Sequence, residues 1–114
     1  MLSDNLFQKI IDRKIPADIV FEDDRCLAFR DIHPQAPVHV LLVPKKAIAT
    51  HAGLTQADSE LMGHLHLVAK QLAERFDLAD GYRLVINCND RGGQTVPHLH
   101  IHLLGGRDMH WPPG

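Results

Sequence analysis

The sequence lacks several features that would assign the protein to a class at once. It has two cysteines in 114 residues, too few for a disulfide framework, which favours a reducing compartment such as the cytoplasm. Lys and Arg number 12 against 14 Asp and Glu, so there is no excess of positive charge for nucleic-acid binding. No apolar run approaches the roughly 20 residues of a membrane span, and the amphipathic, acidic N-terminus is unlike a signal peptide. We therefore expect a cytoplasmic protein with neither nucleic acid nor a membrane as its partner.

Length and composition predict one globular domain. A chain of 114 residues has the size of a single compact domain, and 45% hydrophobic with 23% charged residues is an ordinary globular balance. We expect the domain to span residues 1–114, including the C-terminal segment 107–114. Histidine is unusually frequent, at nine residues. Because imidazole ligates metals, moves protons and acts as a nucleophile near neutral pH, the histidines are the first place to look for function.

The hydrophobic pattern predicts an α+β fold with one short helix, one long helix and a five-stranded, mostly antiparallel sheet. Asp4 or Asn5 caps the short helix, and Thr55 caps the long one, whose apolar residues recur at helical spacing. The β-prone segments lie in adjacent pairs and do not alternate with helices, which favours antiparallel pairing. The predicted strands are residues 19–21, 26–31, 38–43, 82–88 and 98–104.

Three histidines alternate with hydrophobic residues in the segment His98-Leu99-His100-Ile101-His102-Leu103-Leu104. If residues 98–104 form one strand, the three imidazoles share a face, about 7 Å between successive members. Three buried imidazoles without a function would each need a polar partner, which is costly. Two kinds of site remain open at this point. One is a zinc site that takes two of these rings and His39 as an outside ligand; the other is a phosphoryl-transfer site with one histidine as the nucleophile.

A glycine-containing loop, Gly92-Gly93-Gln94-Thr95, lies just before the three histidines. Glycines let successive backbone N–H groups converge into an anion-binding nest, and Gln94 and Thr95 add side-chain donors. Alone, this loop is best interpreted as a hairpin turn. Beside three histidines it favours phosphate chemistry.

These segments together resemble the histidine triad family of nucleotide hydrolases and transferases, and within it the Hint branch. The family motif alternates histidine and hydrophobic residues as 98–104 does, and further matching segments lie at 20–24, 29–32, 34–39, 43–46, 92–95 and 105–114. His102 stands where the transferase branch has glutamine, which favours hydrolysis. The resemblance implies a homodimeric, metal-independent enzyme without a cofactor that hydrolyses purine nucleoside phosphoramidates, such as AMP derivatives. The alternatives are a dinucleoside polyphosphate hydrolase, or a nucleotide- or zinc-binding regulatory module.

The resemblance also implies a role for each catalytic residue. His100 matches a nucleophile that attacks the α-phosphorus to form a nucleotidyl-histidine, which water then hydrolyses. His102 matches a donor to the phosphate oxygens, and His98 and His39 match supporting members of the cluster. Asp31 matches the carboxylate that accepts the ribose hydroxyls.

The remaining implied contacts lie around the substrate. The phosphate-side contacts are matched by Asn87, Gly93, Gln94 and Thr95. The apolar base pocket is matched by Phe7, Ile10, Phe21, Leu27 and Ile32. The family's C-terminal segment reaches toward the partner subunit, so Trp111 is expected on the leaving-group side of the partner's site.

Overall fold

In the computed structural model, which describes residues 5–114, a five-stranded antiparallel sheet carries a short helix on one face and a long helix on the other. The strands are Ile19–Glu22 (β1), Cys26–Arg30 (β2), Val38–Pro44 (β3), Tyr82–Val85 (β4) and Ile101–Gly105 (β5), and the helices are Leu6–Ile11 (α1) and Ser59–Arg75 (α2). Their order across the sheet is β1-β2-β3-β5-β4. Every neighbouring pair is antiparallel, so the predicted fold class is confirmed. Within residues 5–114, no helix is long and apolar enough to cross a membrane.

The sheet has two buried faces of different character, because side chains alternate along each strand. On the helix face, which α2 covers, β3 contributes Val40 and Leu42. On the histidine face, which α1 covers in part, β3 contributes His39, Leu41 and Val43. The helix face is an aliphatic core. The histidine face combines a smaller apolar cluster with the imidazoles.

Both helices begin close to the predicted residues. Asn5 caps α1, since its side chain accepts a hydrogen bond from the Gln8 backbone N–H; Asp4, the other predicted cap, lies outside the described residues. Thr55 does not cap α2 directly. It begins a single 3₁₀ turn, Gln56–Asp58, in which the Asp58 carboxylate accepts from the Thr55 N–H, and α2 follows from Ser59.

The last strand is shorter than predicted, and this corrects the expected geometry of the three histidines. β5 begins at Ile101, so His102 lies in the strand while His98 and His100 lie in the irregular segment before it. Pro97 has no N–H to give to a ladder, and the His98 and Leu99 amides bond to the carbonyls of Val96 and Ile48. The three side chains therefore do not project from one strand face.

Two other strands are also shorter than predicted, because they end early. β4 ends at Val85, and β2 ends at Arg30. Asp31 therefore lies just beyond β2, where its backbone N–H still bonds to the His39 carbonyl. This bond keeps the Asp31 side chain beside β3 although Asp31 is not part of the strand.

Candidate active site

Four histidines meet on the histidine face and form a continuous row, although they come from three segments: β3, β5 and the irregular segment before β5. His39 comes from β3 and His102 from β5, and their Nε2 and Nδ1 atoms are 2.9 Å apart. The rings of His102 and His100 lie with centroids 5.0 Å apart. His98 is fully buried, and its carbonyl oxygen lies 2.7 Å from His100 Nδ1. The sequence-predicted catalytic histidines are thus brought together by tertiary contacts.

A backbone amide determines which nitrogen of His39 and of His102 carries the proton. The Gln35 N–H donates to His39 Nδ1 at 3.0 Å, so neutral His39 has its proton on Nε2. That Nε2–H donates to His102 Nδ1. His102 must then carry its own proton on Nε2. His102 therefore offers its Nε2–H as a hydrogen-bond donor.

His100 has the opposite tautomer. Its Nδ1 lies 2.7 Å from the His98 carbonyl oxygen, and a carbonyl only accepts, so Nδ1 carries the proton. The lone pair of neutral His100 is therefore on Nε2. Two adjacent rings thus present complementary Nε2 atoms: a bare lone pair on His100 and an N–H on His102. This is the pairing that attack on a phosphorus and stabilisation of its oxygens require.

Burial keeps these histidines uncharged near neutral pH. Desolvation lowers the pKa of His39, His98 and His100. The pKa of His102 falls to about 4, because burial acts together with the charges that His100 and His39 would carry, against an opposing effect of Asp31. A histidine acts as a nucleophile only when it is neutral. The cluster is therefore in its reactive form at pH 7.

Asp31 is held at the edge of the row by two contacts. Its Oδ1 accepts the His33 N–H at 2.8 Å, and its Oδ2 lies 3.5 Å from His39 Nε2. The side chain keeps partial access to solvent. A carboxylate held in this way has lone pairs left to accept hydrogen bonds from a ligand.

A cavity of about 360 Å³ opens beside Asp31 on the histidine face. Phe7 and Ile10 from α1 form one wall, and Ile32, which is 85% exposed, stands at the rim. The cavity is mainly apolar with Asp31 at one side, which suits a flat aromatic base attached to a sugar. Its other apolar lining residues are Leu6, Ile15, Pro16, Ala17, Phe29, Leu41 and Val96.

Two residues predicted for the base pocket do not line this cavity. Phe21 packs against the helix face, because an irregularity between Ile19 and Phe21 shifts the register and pairs Phe21 with Ala28 of that face. Leu27 is fully buried beneath the cavity. Phe29 lines the cavity but was not among the predicted base-pocket residues. Strand alternation could have indicated it, because it places Phe29 on the same face as Leu41 and His39.

The loop before the histidines is not the predicted anion-binding nest. The N–H groups of Gly92, Gly93 and Gln94 donate to the carbonyls of Asn89 and Asp90 within the loop. The Gln94 side-chain amide is also occupied, because it donates to the Ala49 and Val96 carbonyls and accepts from the Asn89 N–H. Gly93 and Gln94 therefore brace the loop, and their donors are not available to a phosphate.

The other two phosphate-side predictions lie close to the histidines. Thr95 lines the apolar cavity. Asn87 lies two residues beyond the end of β4, whose last residue, Val85, pairs with His102. These positions are compatible with contacts to a phosphate between the two segments.

The C-terminal segment connects to the site through its first residue. Arg107 Nε donates to the Gln35 carbonyl at 2.9 Å, and Gln35 is the residue whose N–H orients His39. Further along, an Arg83 guanidinium N–H donates to the His110 carbonyl at 2.9 Å. Trp111 is 82% exposed in the single chain. Its place in a partner subunit's site remains a prediction.

Two groups of side chains among residues 5–114 have the composition of a metal site. Asp31, His39 and His102 offer ligand atoms within 4.8 Å of one another. This group consists of two members of the histidine row and the carboxylate at its edge. Asp23, Cys26 and His64 form the other group, on the helix face. In that group His64 already pairs with Asp23, which joins α2 to the β1–β2 turn, and burial raises the pKa of the Cys26 thiol to about 12.

Comparison with known proteins supplies the family. Residues 12–109 match the model of the HIT domain. The chain belongs to the HIT domain family. An uncharacterized HIT-like protein of Synechococcus elongatus is 59% identical over 114 residues, which is 100% of both chains. A 14 kDa zinc-binding protein of Zea mays is 50% identical over 115 residues, covering 98% of this chain and 89% of that protein.

A solved HIT family structure confirms the fold. The crystal structure of a HIT family hydrolase from Legionella pneumophila superposes with a TM-score of 0.94 at 56% identity, covering 96% of this chain and 98% of that chain. The HIT domain match includes the histidine row but begins after α1, which supplies Phe7 to the His100 ring.

Proposed function

We propose that this HIT protein hydrolyses the P–N bond of purine nucleoside phosphoramidates in two displacements at His100 and releases a nucleoside monophosphate. The observation that carries the proposal is the pair of opposite tautomers on adjacent rings. His100 Nε2 has the lone pair needed to attack phosphorus, and His102 Nε2–H is a donor for the phosphoryl oxygens. Both rings are neutral near pH 7, as this chemistry requires.

In the first displacement, His100 Nε2 forms a bond to the α-phosphorus as the P–N bond breaks, and the departing nitrogen takes up a proton from solvent and leaves as the neutral amine. His100 becomes an N-nucleotidyl imidazolium whose remaining N–H, on Nδ1, is held by the His98 carbonyl. That hydrogen bond strengthens as the ring becomes positive, which stabilises the intermediate. In the second displacement, water attacks the phosphorus and releases a proton to solvent, the bond from phosphorus to Nε2 breaks, and His100 leaves as the neutral imidazole.

Substrate recognition is proposed at the cavity beside the row. The apolar walls take the purine and Asp31 accepts hydrogen bonds from the ribose hydroxyls, which puts the α-phosphate toward His100 and His102. The third histidine of the motif and the matching C-terminal segment support placement in the Hint branch and, with it, assembly into a homodimer.

The direct test is release of AMP from adenosine 5′-phosphoramidate by the full chain, with and without a strong chelator. We expect turnover that the chelator leaves unchanged, and faster turnover than with a dinucleoside polyphosphate. Loss of turnover in chelator would contradict the metal-independent mechanism. Absence of AMP release at micromolar enzyme would contradict the proposed function.

Zinc binding is the second candidate, because a Zea mays relative is called a zinc-binding protein and Asp31, His39 and His102 have suitable donors. Zinc ordinarily takes nitrogen, oxygen and sulfur ligands in a tetrahedral arrangement, and these residues would supply three of the four. Bound there, zinc would act as a Lewis acid. Calorimetric titration of the protein with ZnCl₂ tests this candidate, with His39→Gln expected to abolish the binding.

A further inference from the structure

Asn5, at the start of α1, has a hydrogen-bond arrangement that goes beyond helix capping. Its Oδ1 accepts the Gln8 backbone N–H at 2.8 Å, and a backbone N–H only donates, so the other amide atom is the nitrogen. That Nδ2 lies 3.2 Å from His98 Nδ1, which must therefore accept. His98 then carries its proton on Nε2, which donates to the Pro44 carbonyl at 2.8 Å. Asn5 and the Pro44 carbonyl thereby favour the same tautomer of His98.

The ring of His98 needs this anchorage because its backbone lies outside the sheet. Residues 96–100 precede β5 and lack a strand ladder. The carbonyl of His98 nevertheless has to sit 2.7 Å from His100 Nδ1, since that contact leaves the lone pair on His100 Nε2. A ring pinned at both nitrogens, by Asn5 and by Pro44, holds this carbonyl in place.

We propose that Asn5 is a positioning residue for His100: its side-chain amide keeps His98 Nδ1 unprotonated, anchors the His98 ring and, through the His98 carbonyl, fixes the orientation of the attacking imidazole. The same residue caps α1, and α1 brings the Phe7 ring to 4.9 Å from the His100 ring. The two tasks use different atoms, Oδ1 for the cap and Nδ2 for His98. They can therefore be separated by substitution.

Among residues 5–114, the surroundings of His98 contain little charge to obscure such an experiment. His100 is the titratable group that acts on the pKa of His98, and β3 presents the Pro44 carbonyl. From α1, the described neighbours are Asn5 and Phe7, which are both uncharged. A carboxylate at position 5 would be a new charge beside His98. The carboxylate would require a proton on His98 Nδ1, while the Pro44 carbonyl still requires the proton on Nε2. With both nitrogens protonated, His98 would be a cation beside His100.

The test compares Asn5→Asp, which keeps the capping oxygen and reverses the contact with His98, with Asn5→Ser, which keeps a cap but has no amide. We expect kcat on adenosine 5′-phosphoramidate to fall about 10²-fold in Asn5→Asp, because misplacing a reacting group has an effect of this size. KM should stay near its wild-type value, since the cavity and Asp31 are unchanged. In Asn5→Asp the acid limb of the kcat/KM profile should move to higher pH, because a neighbouring carboxylate raises the pKa of His98. Asn5→Ser should lose less activity, and Lys9→Ala, an exposed change in the same helix, should lose none.

A measurement without substrate separates this inference from the proposed function, on which its kinetic part rests. Imidazole ¹⁵N NMR should show His98 protonated on Nε2 alone in the wild type and on both nitrogens in Asn5→Asp. If the wild type releases no AMP, the proposed function fails while the NMR result still decides whether Asn5 controls the protonation of His98 Nδ1. The inference is overturned if His98 stays protonated on Nε2 alone in Asn5→Asp. It is also overturned if activity falls only as far as the melting temperature explains, with an unchanged pH profile, since Asn5 would then be a cap alone. Should Asn5→Asp not fold, Asn5→Ser tests the anchorage through kcat and the ¹⁵N chemical shift of His98 Nδ1, and wild-type values of both would overturn the inference.

Discussion

The two faces of the central strands are built from the same backbone but depend on different interactions. On the helix face, Val40 and Ile101 pack against α2 in an aliphatic core whose energy comes from non-directional burial. On the histidine face, His39 and His102 are also largely enclosed, yet each ring nitrogen that the row uses has a defined partner. The helix face tolerates a change of shape at a cost in stability, whereas the histidine face depends on individual atoms.

The lengths of the covering helices account for part of this difference. α2 has 17 residues and covers its face, whereas α1 has six and leaves a cavity beside Asp31. The proposed binding and chemistry belong to the incompletely covered side. Stability belongs mainly to the other side.

The largest effect that would test this division is the loss of the nucleophile. His100→Ala removes the only Nε2 lone pair proposed to attack phosphorus, so kcat should fall at least ~10³-fold. Nucleotide binding should remain, because the cavity and Asp31 are unchanged. Single-turnover assays and AMP titration measure the two quantities. A variant that kept a tenth of the wild-type kcat would refute the assignment.

The matched control lies on the helix face. Leu65 is fully buried in α2, and Leu65→Ala should cost about 2–5 kcal/mol of unfolding free energy through lost burial and a cavity. Its kcat per folded molecule should equal that of the wild type. If Leu65→Ala lowered kcat at temperatures where the protein stays folded, the two faces would not be separable in function.

Acidification should destabilise the protein through the histidine face. Burial lowers the pKa of His102 from an ordinary 6.5 to about 4, so the unfolded chain binds the proton more readily than the native one. The stability from this neutral ring is complete above pH 6.5 and is lost as the pH falls toward 4, by about 3 kcal/mol from His102 alone. Urea unfolding at several pH values measures the trend, and His102→Gln should flatten it. An equally steep decline in His102→Gln would place the acid sensitivity elsewhere.

Sugar recognition gives a smaller effect on the same face. Asp31 beside the cavity should accept hydrogen bonds from both ribose hydroxyls, and such charge-assisted bonds are each worth roughly 1.5–3 kcal/mol. The wild type should therefore prefer ribonucleotide over 2′-deoxyribonucleotide substrates in kcat/KM. Asp31→Asn should reduce that preference, whereas Glu22→Gln, a carboxylate remote from the cavity, should not. Equal kcat/KM for both sugars in the wild type would exclude this role for Asp31.

The fold followed from local patterns in the sequence, and the atomic arrangement of the site did not. Alternation and helical spacing depend on near neighbours, which is why the five strands, their antiparallel pairing and the two helices agree with the pattern. The last strand begins only after Pro97, at Ile101, and an irregularity in β1 moved Phe21 to the helix face. The contact of Asn5 with His98 spans 93 residues, so no local pattern could indicate it.

The smallest expected effect concerns the C-terminal segment. Two deletions of different length are needed to test it, because its residues have different contacts. Removing residues 107–114 would also remove Arg107, whose contact with the Gln35 carbonyl supports the amide that orients His39. Removing 109–114 keeps Arg107 and deletes Trp111, which is 82% exposed in one chain and is proposed to wall the leaving-group side of the partner subunit's site. The shorter deletion should therefore change the ranking of leaving amines while AMP affinity hardly moves, and the longer one should also lower kcat for every substrate. If the shorter deletion scaled kcat/KM equally for all amines, Trp111 would have no place in the site, and the specificity of the histidine face would lie within a single chain.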